Sequence, residues 1–301
     1  MPCGRSRSSK LRSKGQGDAI FKGVTLFFSL SIFALTAWIG WELFKNSKLP
    51  MEKFGFGFLW EQVWDPVREE YGALPFIYGT VVSSMLALAI AVPLGLGVAV
   101  FLYELAPPGI GNAIAFLTEL LAAIPSVVYG LIGVFVLVPV MRKAGAPYGV
   151  GMLTAGIILS VMILPFIATI SREIFKTVPQ TLKESAMSLG ATRWEVLRMV
   201  TIPFSFSGIL GSVFLALGRA LGETMAVTMV IGNRPEIRFS LFEPGYTMAA
   251  VIANEFTEAT SDLYVQTLIQ VGLVLFFITI VVNGIARYLI HKVAKQAEVV
   301  A

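Results

Sequence analysis

Three stretches of this chain, residues 71–103, 144–171 and 263–286, contain no Asp, Glu, Lys or Arg. Each is longer than the roughly 20 apolar residues that cross about 30 Å of hydrocarbon. Three further apolar candidates, 24–44, 113–141 and 204–232, bring the number of spans to six. With 56% of its 301 residues hydrophobic and only 14% charged, the chain lacks the polar surface a water-soluble domain of this size needs, and the bilayer is its solvent. The apolarity is continuous and does not alternate residue by residue, so the spans are helices and not the strands of a barrel. The expected fold is an all-α polytopic membrane protein with six transmembrane helices.

Lys and Arg placement sets the orientation, because cytoplasmic loops collect positive charge. Arg5, Arg7, Lys10, Arg12, Lys14 and Lys22 precede or open the first span, five cations lie in 171–203 and three follow 286. With both termini inside, the cytoplasm receives fourteen cations and the opposite side eight. The basic start beside a membrane span reports topology, not nucleic-acid binding. The first apolar stretch is too long for a secretory h-region and no small-x-small cleavage site follows it, so it is read as an uncleaved span. The organisation expected is a basic cytoplasmic tail over 1–20, a membrane domain over 21–295 and a short tail over 296–301. Its spans are 24–44, 76–103, 113–141, 147–171, 204–232 and 263–287. Lipid is a necessary partner.

The outer segment 45–75 carries Trp60, Trp64 and Tyr71 and suits either an interfacial loop or a docking surface. The apolar run at 245–256 is too short to span and reads as an interfacial or re-entrant helix. Cys3 is the only cysteine and His291 the only histidine. No Cys/His cluster, HExxH, GxSxG or G-x-x-x-x-G-K-[ST] motif occurs, so no catalytic residue, metal site, cofactor or ATP-binding loop is expected.

Between the fourth and fifth spans the pattern changes. Leu182, Ala186 and Leu189 recur at i, i+4 and i+7, an apolar stripe on a short helix. Pro179 suits its first turn, Gly190 the left-handed residue that ends it, and Pro203 the start of the next span. The segment 184–203, ESAMSLGATRWEVLRMVTIP, resembles the EAA loop of ABC import permeases, E-A-A-x3-G-x9-I-x-L-P, with Ser185, Val200 and Ile202 as mild departures. That resemblance implies that residues 178–203 form a cytoplasmic coupling loop docked on a separate ATPase. Glu184 would bond the ATPase surface, Ala186 would permit close approach, and Gly190 would make the turn. The absent phosphate-binding loop fits, since ATP hydrolysis would belong to the partner.

Three ionisable residues fall inside spans: Glu119, Arg219 and Glu223. A charge at bilayer depth costs about 2.5–3.5 kcal/mol or more and must face a partner or water. Arg219 and Glu223 stand i, i+4 on an expected continuous span, able to pair. They suit either an ion pair that pins the fifth span or an oxyanion site. In the second reading the guanidinium fork binds the anion and Glu223 accepts a hydrogen bond from the proton that phosphate carries and sulfate lacks. Glu119 suits channel lining and internal helix pairing equally.

GRALGETMAV at 218–227, with IPSVVYG at 124–130, is similar to the high-affinity phosphate permeases of the Pst system, the PstC type in particular. That resemblance covers about 20–295 and implies a type I, MetI-like permease architecture in a prokaryotic plasma membrane. It also implies a second related permease of the PstA type, two copies of an ATP-binding subunit and an extracytoplasmic phosphate-binding protein. The expected activity is alternating-access phosphate import with Arg219, Glu223 and Glu119 on the substrate path. A permease for phosphonate or another oxyanion, and an ATP-independent channel or secondary transporter, are the alternatives.

Overall fold

The computed structural model describes residues 16–300. The basic residues and Cys3 within 1–15, and Ala301, lie outside the described part. The chain divides into two units, Met1–Lys45 and Asn46–Ala301. The first contributes the single helix α1 (Gln16–Lys45).

In the second unit, α2 (Lys48–Phe54) and a 3-10 turn (Gly55–Leu59) lead into a small antiparallel hairpin, β1 (Trp64–Asp65) and β2 (Glu70–Tyr71). Then come α3 (Leu74–Val100) with a π-helical extension (Phe101–Leu105), α4 (Pro108–Ala123) and α5 (Ser126–Ile132). A π-helical segment (Gly133–Leu137) joins α5 to α6 (Val138–Lys143), and α7 (Met152–Lys176) and α8 (Gln180–Ser188) follow. Next are α9 (Arg193–Val196), a π-helical segment (Leu197–Thr201) and α10 (Ile202–Leu221). The chain closes with α11 (Met225–Ile231), α12 (Met248–Glu255) and α13 (Asp262–Val300).

Six stretches among the described residues are long and apolar enough to cross a membrane: Ile20–Lys45, Leu74–Leu105, Ser126–Lys143, Met152–Lys176, Arg193–Leu221 and Asp262–Val293. The number agrees with the sequence reading; two of the spans do not have the expected form. The stretch expected as one helix over 113–141 breaks at Ile124 and Pro125, both extended with ψ of 130° and 139°. Proline supplies no amide and drives the residue before it out of the helical region. The Tyr129 hydroxyl bridges the break by donating to the Leu121 carbonyl at 2.7 Å. Glu119 therefore rides on α4, a separate helix of 16 residues.

The stretch expected over 204–232 is displaced toward the N-terminus at the same length. Its helix starts at Arg193 and ends at Leu221. Pro203 does not open this span but lies within it, two residues past the end of the π-helical segment Leu197–Thr201. The wider π turn accommodates the donor that Pro203 lacks.

α7 is the centre of the packing, with Ile158, Leu159, Met162, Ile163 and Ile167 all buried. A side chain at Gly95 would meet Ile167 at 3.0 Å and one at Gly156 would meet Leu86 at 2.9 Å, so α3 and α7 run parallel in close contact. α10 returns antiparallel: the Ser171 and Ser212 hydroxyls meet at 3.1 Å, and a side chain at Gly208 would strike Ile174 at 2.8 Å. Small residues let these backbones approach, as membrane helix packing requires.

At the end of the unit where α3 and α7 begin, segment 46–73 is folded onto α12 and α13. Phe58 and Tyr71 are buried against Phe76, Tyr246 and Tyr264, whereas Trp60 is exposed. Trp64 lies edge-on to Phe76 at 4.7 Å, and Tyr71 stacks on Tyr264 at 5.5 Å. Glu255 accepts hydrogen bonds from the Trp64 indole at 2.9 Å and the Tyr264 hydroxyl at 2.6 Å. Burial first, then the carboxylates of Glu69, Glu255 and Asp65, pushes the Tyr71 phenol up to about 12, so the ring stays neutral at physiological pH. The short helix expected within 245–256 is present as α12, capped by Thr247, whose hydroxyl accepts from the Ala250 amide at 3.3 Å.

α12 is held close to α3 at Gly79. The Met248 amide donates to the Thr80 hydroxyl at 2.9 Å, and a side chain on Gly79 would overlap the Tyr246 carbonyl. The obstacle is backbone, which cannot rotate away. Gly79→Ala is expected to destabilise the protein by about 1–3 kcal/mol, the cost of overpacking a tight contact. Thermal unfolding in detergent checks this: a midpoint equal to wild type would mean that α3 and α12 are not in contact there.

Candidate functional site

α8 and α9 form a compact helix-turn-helix at the end of the unit where α3 and α7 finish. Pro179 caps α8 with extended geometry, φ −58° and ψ 131°. Gly190 has φ +89°, the left-handed conformation that only glycine adopts without strain. The Gly190 amide donates to the Met187 carbonyl at 2.9 Å and the Ala191 amide to the Ala186 carbonyl at 3.2 Å. These two bonds make a Schellman ending, with Ala186 supplying the outer acceptor. The turn passes directly into α9, where Thr192 and Glu195 form a reciprocal capping box. Both backbone breaks are thus satisfied locally, and the turn is rigid.

The apolar stripe faces away from the rest of the chain. Leu182 is 44% exposed and Leu189 89%, with Met187 and Trp194 also exposed. Glu184 is exposed and Ala186 half-buried. Contiguous exposed apolar side chains with a carboxylate among them are what a protein-docking surface requires. The one side chain that α8 buries is Lys183. Its ammonium donates to the Tyr103 hydroxyl, lies 4.1 Å from the Tyr103 ring centre, and stands 3.6 Å from the Glu104 carboxylate. Sequence reasoning missed Lys183, because apolar periodicity points to Leu182 and Ala186 and gives no weight to a lysine beside them.

The three span charges are not arranged as a pair. Gly222 ends α10, so Arg219 stands in the last turn of that helix and Glu223 in the non-helical break before α11, and no ion pair joins them among the described residues. The i, i+4 geometry needs an unbroken helix, and residues 222–224 do not continue it. The Glu223 carboxylate turns instead to accept the Ala226 amide at 3.3 Å, and the Arg219 guanidinium lies over the Phe166 ring at 4.7 Å. Arg219 is exposed, Glu223 half-buried and Glu119 exposed. The Asn283 side-chain oxygen on α13 lies 4.0 Å from where a side chain on Gly218 would begin. Phe166 and Asn283 were invisible in the sequence because they lie on other helices, in runs without charge. A cation over an aromatic face is stabilised by about 0.5–2 kcal/mol, a contact that does not use its hydrogen-bond donors.

The family model described as binding-protein-dependent transport system inner membrane component matches residues 91–295. A protein of Mesorhizobium japonicum named phosphate transport system permease protein PstC is 47% identical, over 96% of this chain and 94% of that protein. The protein of the same name from Pasteurella multocida is 44% identical over 93% of each. Among solved structures, a bacterial alginate ABC transporter chain superposes with a TM-score of 0.64 at 15% identity, covering 94% of this chain and 99% of that one. A chain of the inward-facing MetNI methionine ABC transporter gives a TM-score of 0.56 at 18% identity, over 74% and 94%. These likenesses between structures concern the fold.

Proposed function

Because the chain belongs to the family of binding-protein-dependent transport system inner membrane components, we propose that it is the transmembrane permease subunit of an ATP-driven inorganic phosphate importer. It is a multi-pass inner-membrane protein and a non-catalytic subunit, working with an ATPase and an extracytoplasmic binding protein. The observation that carries the phosphate assignment is full-length likeness to permeases named for phosphate transport.

The finer assignments rest on geometry. Both termini are cytoplasmic, as is the 178–203 loop, a reading supported by the excess of Lys and Arg in these segments. The exposed face of α8, with Glu184, Leu182 and Leu189, docks on the ATPase; Ala186 permits the approach, Gly190 fixes the turn, and Pro203 lies in the helix that leaves it. Two ATPase copies serve this chain and a second, PstA-type permease. Arg219 faces the path between the two permeases: it is exposed in the isolated chain, within an apolar helix long enough to cross a membrane, where lipid is a poor neighbour for a cation, and no carboxylate pairs with it among the described residues. Glu223 and Glu119 line the same path.

Reconstitution of this chain with the second permease, the ATPase and the binding protein in vesicles tests the reading. ATP-dependent uptake of radioactive phosphate is expected, with sulfate and phosphonate in excess failing to compete. Uptake that continues without the ATPase would make the chain a channel or secondary transporter. Uptake suppressed by phosphonate would move the substrate to that class.

A further inference from the structure

The docking helix is tied to the bundle by a buried ammonium where an apolar contact would be expected. α8 is otherwise solvent-facing, and Lys183, 5% exposed, is the single residue it buries. Its side chain does not reach the helix that follows the turn. It reaches the π-helical segment Phe101–Leu105 at the end of α3, some 80 residues earlier in the chain.

Two partners converge there. The ammonium donates to the Tyr103 hydroxyl, 4.1 Å from the centre of that ring, and stands 3.6 Å from Glu104, whose side chain is 20% exposed. Tyr103 in turn packs on Phe175 at 5.8 Å between ring centres. Phe175 is fully buried in a cluster with Ala99 of α3 and Ile209 of α10. Lys183 is therefore connected through one aromatic ring to the place where α3, α7 and α10 meet.

We infer that Lys183 is the positioning residue through which movement of the docking helix is imposed on α3, in parallel with the direct covalent route along the 193–221 helix. An apolar side chain in this place would push when compressed and slide when pulled. A cation held by a hydroxyl and a carboxylate resists being pulled away as well as being compressed. The segment that receives it is π-helical, a form found where helices carry function and are less regularly bonded than the α-helix on either side. A contiguous set of packed and hydrogen-bonded groups thus joins the docking surface to three spans. This inference rests on the importer reading above, since without a docked ATPase there is no movement to transmit.

Lys183→Met keeps the length and the aliphatic stem and removes the charge. In the reconstituted complex it is expected to co-purify with the ATPase at wild-type yield and to hydrolyse ATP, while phosphate taken up per ATP falls by about tenfold, in the middle of the usual range for coupling between sites. A residue that only stabilised the fold would lower complex yield and lower both activities together, leaving their ratio unchanged. Tyr103→Phe, which keeps the ring, is expected to lose coupling less than Lys183→Met. The exchange of Lys183→Glu with Glu104→Lys is expected to recover part of what Lys183→Glu alone loses. An unchanged uptake-to-hydrolysis ratio in Lys183→Met, or loss of ATPase binding in all of these variants, overturns the inference. If the wild-type complex itself shows no ATP-dependent phosphate uptake, the importer reading fails and the inference falls with it. Wild-type uptake with a fully coupled Lys183→Met removes the inference alone.

Discussion

Arg219→Ala is expected to abolish phosphate uptake while the variant still assembles with its ATPase. Removing an exposed arginine that contacts its own chain through one aromatic face should cost little in folding, because a cation–π contact contributes only about 0.5–2 kcal/mol. The loss for a bound oxyanion is larger. Each hydrogen bond to a charged group contributes about 1.5–3 kcal/mol, and a guanidinium offers two side by side. Losing both lowers transport at fixed phosphate by roughly 100-fold or more. Arg219→Lys keeps the charge without the fork and should recover only part of the rate. Initial uptake rates, read beside the yield of purified complex, decide the matter. Normal uptake by Arg219→Ala would leave the residue a purely packing role over Phe166.

Gly190→Val is expected to leave ATP hydrolysis running while uptake per ATP collapses. Nothing lies within 4 Å of where a side chain on Gly190 would begin, so the effect is not a clash. It comes from the backbone, whose φ of +89° a β-branched residue does not tolerate. A residue other than glycine pays about 1–2 kcal/mol or more for the left-handed conformation, and the chain is expected to open the Schellman bonds to Met187 and Ala186. The exposed face of α8 then no longer holds a fixed angle to the helix that begins at Arg193. Gly190→Asn is the control, because asparagine adopts this conformation with less strain and should retain more coupling. Equal coupling in wild type, Asn and Val variants would show that the turn is not the transmitting element.

The sequence made the membrane class legible because charge-free runs leave no alternative, and it made α8 legible because proline and glycine marked both of its ends. Its failures share a physical cause. Hydropathy measures what a segment is made of and does not register a missing hydrogen bond, so the breaks at Pro125 and at 222–224 were hidden inside long, predominantly apolar stretches. The expected Arg219–Glu223 pair depended on helical continuity that Gly222 interrupts. Lys183 and Phe166 were missed for a different reason: their significance lies in partners 80 and about 50 residues away, and a single sequence carries no record of such contacts. The oxyanion reading of Arg219 came from residue chemistry. What the structure adds is that the guanidinium is exposed and forms no ion pair among the described residues.

The continuity of the helix from Arg193 to Leu221 has a mechanical corollary. At 1.5 Å per residue, Arg219 stands about 39 Å along the axis from the docking turn. A rigid rod of that length multiplies angle into distance: tilting it by roughly 5° about its foot sweeps the far tip through about 3 Å, the reach of one hydrogen bond. A guanidinium carried at the tip of such a lever can be brought to an anion or withdrawn from it without any side chain changing its rotamer.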